Sequence, residues 1–198
     1  MLAFVAAVFF LLITPGPGVL STAGVGAAFG KNAGLRYLIG LFIGTNLVAL
    51  AVVSGLAAIL FSLPWLRVAL LVLSAIYLLS LAIRIAMSGS EIKFIRSAKQ
   101  PGIHNGILLQ TINPKAYAVN TTLFSGWSFY AENIALETLI KFAIINAIWI
   151  PIHLLWLAAG ISLKRLALDA KTQRLINIAM AASMLMVVFL ALLSAGDI

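Results

Sequence analysis

Leu11-Leu12-Ile13-Thr14-Pro15-Gly16-Pro17-Gly18 and Leu108-Leu109-Gln110-Thr111-Ile112-Asn113-Pro114-Lys115 are two versions of one eight-residue phrase, 97 positions apart in a chain of 198. Four of the eight positions are identical, the threonine and the second proline among them. Both phrases sit inside apolar stretches, and the offset is close to half the chain. Asn46 and Asn146 repeat the pattern at an offset of 100, again within apolar surroundings. Agreement between these matches marks a half-length internal repeat, with halves at residues 1–97 and 98–198 of one transmembrane domain.

The surrounding composition is that of a membrane protein. Hydrophobic residues make up 63% of the chain and charged residues 9%, against roughly 25% charged in a soluble domain. Mean hydropathy is +1.14. Apolar runs of about 20 residues fit a bilayer core roughly 30 Å thick. Six are expected here: Leu2–Ala28, Tyr37–Phe61, Trp65–Met87, His104–Ser128, Thr138–Leu163 and Leu175–Ala195. The first lacks a preceding basic residue and a clear cleavage site, so it reads as a retained helix rather than a signal peptide. The connections between spans are too short for a folded domain. There is no cysteine, which removes disulfides and thiolate metal sites.

The net charge of +8 is scattered over short loops, a pattern of topology and not of nucleic-acid binding. Lys31, Arg36, Arg84, Lys93, Arg96, Lys99, Lys164, Arg165, Lys171 and Arg174 fall on one side of the expected bundle, and only Arg67 and Lys141 on the other. Ten against two places the odd-numbered loops in the cytoplasm and both termini outside it, in a multi-pass protein of the cell (inner) membrane. Tyr37, Trp65, Trp127 and Tyr130 lie near span ends, as interfacial anchors would. The segment Glu91–Lys99 is weakly amphipathic and suited to the anionic leaflet.

Three spans per half is an odd number, so the halves must have opposite orientations. The fold expected is all-α: six transmembrane helices arranged as a 3+3 inverted-topology repeat, the architecture of many secondary transporters. Proline removes a backbone donor and clashes with the preceding turn, so the first and fourth helices are expected to break at the two aligned phrases. Backbone groups freed inside hydrocarbon cost several kcal/mol each unless they face protein or a wet cavity. Two symmetry-related breaks therefore point to a polar site between the halves. The competing reading is a pair of structural kinks.

Here the residues resemble a known family. Thr14-Pro15-Gly16-Pro17 closing a first hydrophobic stretch, and Asn113-Pro114-Lys115-Ala116 opening the second half, are similar to the two signatures of the LysE-type amino-acid exporters, closest to their homoserine/threonine (RhtB-like) branch. The resemblance covers the whole chain in length, span number and motif order. It implies efflux of small amino acids or related metabolites, driven by the proton gradient. Where many members carry a polar residue after the second proline, this chain has Gly18.

Chemistry at depth is sparse. All five acids are expected in loops or at span ends, leaving Lys115 and His153 as the interior ionisable groups. A lysine near a helix centre costs roughly 2.5–3.5 kcal/mol on insertion scales. Lys115 also follows Pro114, at the start of a half-helix whose N-terminus already carries about half a positive charge. The expected counter-charge is the carboxylate of a substrate, bound with amides of the half-helices that begin near Pro17 and Pro114; the alternative is that Lys115 caps carbonyls or snorkels to water. The candidate substrate-binding residues are thus Thr14, Pro15, Gly16, Pro17, Gly18, Asn46, Thr111, Asn113, Pro114, Lys115 and Asn146. Asn46, Asn146 and the two threonines serve packing equally well. His153, whose unperturbed pKa is about 6.5, is the candidate for carrying a proton in exchange; a structural histidine is the blander reading. Gly26 with Gly30, and Gly40 with Gly44, are four apart and permit close helix approach. Trp149 and Trp156 read as packing residues.

An intramembrane enzyme would need paired catalytic groups within hydrogen-bond reach; one lysine and one histidine far apart in sequence do not make a pair, so no catalytic residue is assigned. No metal site and no cofactor is expected, since buried carboxylates and thiolates are lacking and there is no phosphate-binding loop. The alternative to an exporter is a non-transporting membrane scaffold or assembly protein. The partners expected are a small-molecule substrate and the lipid bilayer, with no nucleic acid and with a homo-oligomer left open.

Overall fold

Prolines set most of the helix boundaries. In the computed structural model, which describes residues 1–87, 100–165, 171–172, 174–179, 182–183 and 186, the elements are α1 Leu2–Ile13, α2 Pro17–Phe29, α3 Lys31–Val53, α4 Leu56–Phe61, α5 Pro64–Ala86, α6 Ile103–Ile112, α7 Pro114–Ser125 and α8 Ile134–Arg165. Pro17, Pro64 and Pro114 each open a helix. There the missing N–H is one the helix could not have used, and the fixed φ is already helical. The residue before each is pushed out of the helical region. Gly16 sits at φ −161°, ψ 179°, Leu63 at −96°, 105° and Asn113 at −82°, 109°. Pro151 is the exception, since α8 runs on through it.

Only helices occur among the described residues. α3, α5 and α8 are each long and apolar enough to cross a membrane, and α1 with α2 form a fourth such unit bent by 49° at the intervening residues. The sequence places a fourth and a sixth span at His104–Ser128 and Leu175–Ala195. The first of these is occupied by α6 and α7; the second lies largely outside the described residues, as does the amphipathic segment Glu91–Lys99. The molecule exposes large apolar side chains in helical stripes, such as Ile39, Ile43, Leu47 and Leu50 on α3 and Val72, Ile76, Leu79 and Ile83 on α5. Contiguous apolar surface of this extent suits lipid and not water.

Some expected boundaries move. The loop read at 29–36 contracts to Gly30, whose φ of 82° lets α2 turn directly into α3; Gly30 thus serves a turn and not helix packing. The second span is interrupted at Gly55, φ 78°, which separates α3 from α4. Tyr37, expected at the interface, is fully buried, because α3 begins earlier than the apolar run suggested. Glu137 and Lys141, expected outside the bundle, are buried in the first two turns of α8, where Lys141 Nζ meets Glu137 Oε1 at 2.7 Å. Lys141 also donates to the carbonyls of Phe124 and Trp127, and Glu137 accepts from the amides of Phe129 and Tyr130. The pair ties the α7–α8 connection to α8, and its low exposure is affordable because every charge has partners.

α3 packs most extensively on α6, and α2 on α8. Both contacts are made by glycines. A Cβ on Gly40 would enter the backbone of Ile103, one on Gly106 the carbonyl of Tyr37, and one on Gly160 the carbonyl of Ala23. Close backbone approach is how helices gain packing energy where lipid competes for apolar surface. α6 runs parallel to α3, since Gly40 meets Ile103 and Gly44 meets Ile107. α2 and α8 also run alongside, since Ala23 meets Gly160 and Gly26 meets Leu157 and Ile161. All four glycine-lined segments therefore lie toward the end of the molecule marked by the α2–α3 turn. The cavity described below is lined from the other end.

Candidate functional site

At the first interruption, α1 stops because Thr14 is extended, at φ −58°, ψ 123°, ahead of Pro15. Thr14 Oγ1 turns back to donate to Phe10 O at 2.6 Å. Its counterpart Thr111 does the same to Ile107 O, at 3.1 Å. Both hydroxyls are therefore satisfying carbonyls of their own helix. The carbonyls at the break itself are satisfied from α7: Lys115 Nζ donates to Thr14 O at 2.8 Å and to Pro15 O at 3.4 Å, while Tyr117 Oη donates to Thr111 O at 2.9 Å. The C-terminal end of α1 carries partial negative charge, so the ammonium lies where the helix dipole favours it. The protein itself thus partners Lys115, through carbonyls and not through a carboxylate.

Gly16 makes this possible. A Cβ there would come within 2.8 Å of Lys115 Cδ and Nζ. Its φ is extended and open to any residue, so the glycine is needed for space alone.

The second interruption is organised by Asn113. Because Pro114 has no N–H, the first useful donor of α7 is Lys115 N, and it donates to Asn113 Oδ1 at 3.1 Å, an N-cap bond. That fixes the Asn113 amide, whose Nδ2 donates to Gln110 Oε1 at 3.2 Å. Gln110 and Asn113 are both buried.

These groups line one cavity, with empty space of about 530 Å³ counting the solvent at its open mouth. Its polar wall comprises Thr14, Gly16 and Gly18 from the first interruption, Gln110, Asn113 and Lys115 from the second, Asn120 of α7, Thr45 of α3 and His153 of α8. The apolar wall includes Leu11, Leu12, Val119, Leu123, Ile145 and Trp149. Of the sequence candidates, Thr14, Gly16, Gly18, Asn113, Lys115 and His153 are brought together here. Pro15, Pro17, Thr111 and Pro114 shape the breaks without lining the cavity. Asn46 and Asn146 pair with each other instead, Nδ2 of each donating to Oδ1 of the other at 3.1 and 3.0 Å.

His153 is buried and stacked on Trp149, ring centroids 3.6 Å apart and planes 14° apart. Its Nδ1 lies 2.9 Å from Trp149 O. A carbonyl only accepts, so Nδ1 carries a hydrogen, and in the neutral ring Nε2 is then an acceptor. Trp149 is thus both core and cavity wall. Gln110 and Asn120 were not singled out in the sequence. A polar residue inside an apolar run, on the face of the phrase that carries Asn113, was the signal for Gln110. Asn120 lies one turn beyond Ala116 on the cavity face of α7.

No curated protein and no solved structure matches this chain. A family does, over residues 9–195, and it is described as the LysE type translocator. The match takes in both interruptions, the helices between them and nearly all of the chain, and translocators of this family are transporters that export amino acids and not enzymes. The chain therefore belongs to the LysE type translocator family and is a membrane translocator.

Proposed function

We propose that the protein is a secondary exporter of small amino acids or related metabolites, of the homoserine/threonine kind, built as a six-span 3+3 inverted repeat in the cell membrane and coupled to protons. The single observation that carries this reading is Lys115. Its ammonium reaches from one interrupted helix onto the freed carbonyls of the other, in the wall of a cavity between the two halves. A carbonyl is a replaceable partner. A carboxylate entering the cavity makes a stronger, charge-assisted bond to the same ammonium, with the first-turn amides of α2 at Gly18 and Val19 beside it.

Alternating access supplies the mechanism. Glycine-mediated packing closes the end carrying Lys31 and Arg36, which the charge distribution assigns to the cytoplasm. The cavity is lined from the opposite end, by the last turn of α1, by α7 and by the first half of α8. The arrangement fits a state open to the outside, with both termini on that side. Export requires the α3–α6 and α2–α8 contacts to part and the α1–α7 side to close around the substrate. His153, within the cavity, is the group that would take up the counter-proton.

The test is efflux of a panel of labelled amino acids from loaded proteoliposomes, with and without an imposed proton gradient. Gradient-stimulated release of at least one small amino acid is expected. Release that requires ATP, or no release of any amino acid, overturns the reading.

A further inference from the structure

The end of the molecule closed by glycine contacts holds a polar cluster that does not line the cavity. Tyr37 of α3 is fully buried there, in a core with Val25, Leu41, Leu78, Ile85 and Leu157, and its backbone lies against Gly106 of α6. Ser21 of α2 and Tyr77 of α5 are polar neighbours of its hydroxyl, and each has given its hydrogen elsewhere. Ser21 Oγ donates to Gly18 O at 2.9 Å, and Tyr77 Oη donates to Asn105 O at 3.0 Å. Tyr37 Oη is buried with no hydrogen-bond partner among the described residues.

A hydroxyl in that position has lost its water and gained nothing in return. The penalty belongs to this conformation. The α3–α6 contact that buries Tyr37 is one of those that part for export, and water entering between the two helices hydrates the hydroxyl. The unpaired group therefore favours opening. Tyr77 acts the other way. Its bond runs from α5, in the first half of the chain, to α6, in the second, so it lasts only while those two elements stay together.

We propose that Tyr37 and Tyr77 are opposed gating residues of the closed end: the Tyr77–Asn105 bond holds that end shut, and the buried Tyr37 hydroxyl weakens the closure. This rests on the alternating-access reading and adds the balance between its states. Backbone contacts at Gly40, Gly44 and Gly106 favour closure. A transporter held far to one side cycles slowly, and a partnerless hydroxyl in the closed end brings the two states within reach of each other.

The chain has no cysteine, so a single introduced thiol reports opening. Ala33, one turn before Tyr37, and Ser21 are both buried, at 3% and 0% exposure. The experiment measures how fast Ala33→Cys and Ser21→Cys are modified by a water-soluble maleimide in lipid nanodiscs, each alone and combined with Tyr37→Phe or Tyr77→Phe. Each tyrosine substitution removes only an oxygen. Tyr37→Phe is expected to slow modification by about fivefold or more, with thermal stability equal to or above that of the parent. Tyr77→Phe is expected to speed it by about threefold or more. Reporters on two different helices guard against one that fails to fold. Shifts in the same direction for the two substitutions overturn the proposal, as do rates that neither changes and thiols that never react. A loss of stability in Tyr37→Phe also overturns it, since the hydroxyl would then be bonded. Efflux from vesicles tests the underlying reading separately. Opposed shifts in a protein that exports no amino acid would leave the gate standing and the exporter reading fallen; export without opposed shifts would do the reverse.

Discussion

Asn46 and Asn146 join side chain to side chain through two reciprocal amide bonds, between the middle of α3 and the middle of α8. The two asparagines stand 100 positions apart in the chain and join α3 to α8 directly. The bonds sit between the two most extensively packed helix pairs, α3 with α6 and α2 with α8, so they link one pair to the other.

That pairing has a measurable strength. Interhelical hydrogen bonds in membranes average about 0.6 kcal/mol and reach about 1.7. Asn46→Leu and Asn146→Leu should each destabilise the protein, and the double variant should be more stable than the sum of the singles by a coupling of about 0.6–1.7 kcal/mol. Unfolding in mixed micelles, run as a double-mutant cycle, reads the coupling directly; additive effects would mean the two amides act separately.

Gly16 is occupied by Lys115 where its own side chain would be. Gly16→Ala should therefore displace the lysine from Thr14 O and Pro15 O without altering the extended backbone. Efflux is expected to fall by tenfold or more, with thermal stability lowered by about 1–3 kcal/mol for carbonyls left unpaired. Gly16→Ala with wild-type transport would show that the lysine position has no bearing on activity.

If His153 takes up the counter-proton of exchange, proton and substrate compete, and binding should weaken as pH falls. Lys115 is the other ionisable side chain lining the cavity among the described residues; as the cation that receives the carboxylate it would act with the opposite sign, so the His153→Gln comparison isolates the histidine. The expected result is tighter amino-acid binding at pH 8 than at pH 5.5 in the wild type and a flattened dependence in His153→Gln. A pH profile identical in the two proteins would remove His153 from coupling.

How much of this was legible in the sequence differs by feature. The membrane class and the positions of the two interruptions follow from composition and from proline chemistry, which acts locally: an X-Pro step extends its first residue wherever it occurs. Lys115 was legible as an anomaly, because a cation at a helix start inside hydrocarbon needs an explanation. Its partner was not, since Thr14 O and Pro15 O belong to another helix and backbone carbonyls leave no sequence signal. Tyr37 and Lys141 were misplaced for the same reason. Burial by a neighbouring helix, against Gly106 in one case and beside Glu137 and the Phe124 and Trp127 carbonyls in the other, is decided by packing that no single apolar run encodes. Gln110 was passed over because its amide has meaning only through the chain Lys115–Asn113–Gln110.

The most direct test of the account is efflux through Lys115→Met, a substitution close in length that keeps the apolar stem and removes the charge. With protein recovered in the membrane at wild-type amounts, amino-acid efflux is predicted to fall by at least tenfold while Lys115→Arg retains a measurable part of it. Wild-type efflux of every amino acid tested in Lys115→Met would contradict the claim that this cation, poised on the carbonyls of the opposing half, receives the substrate.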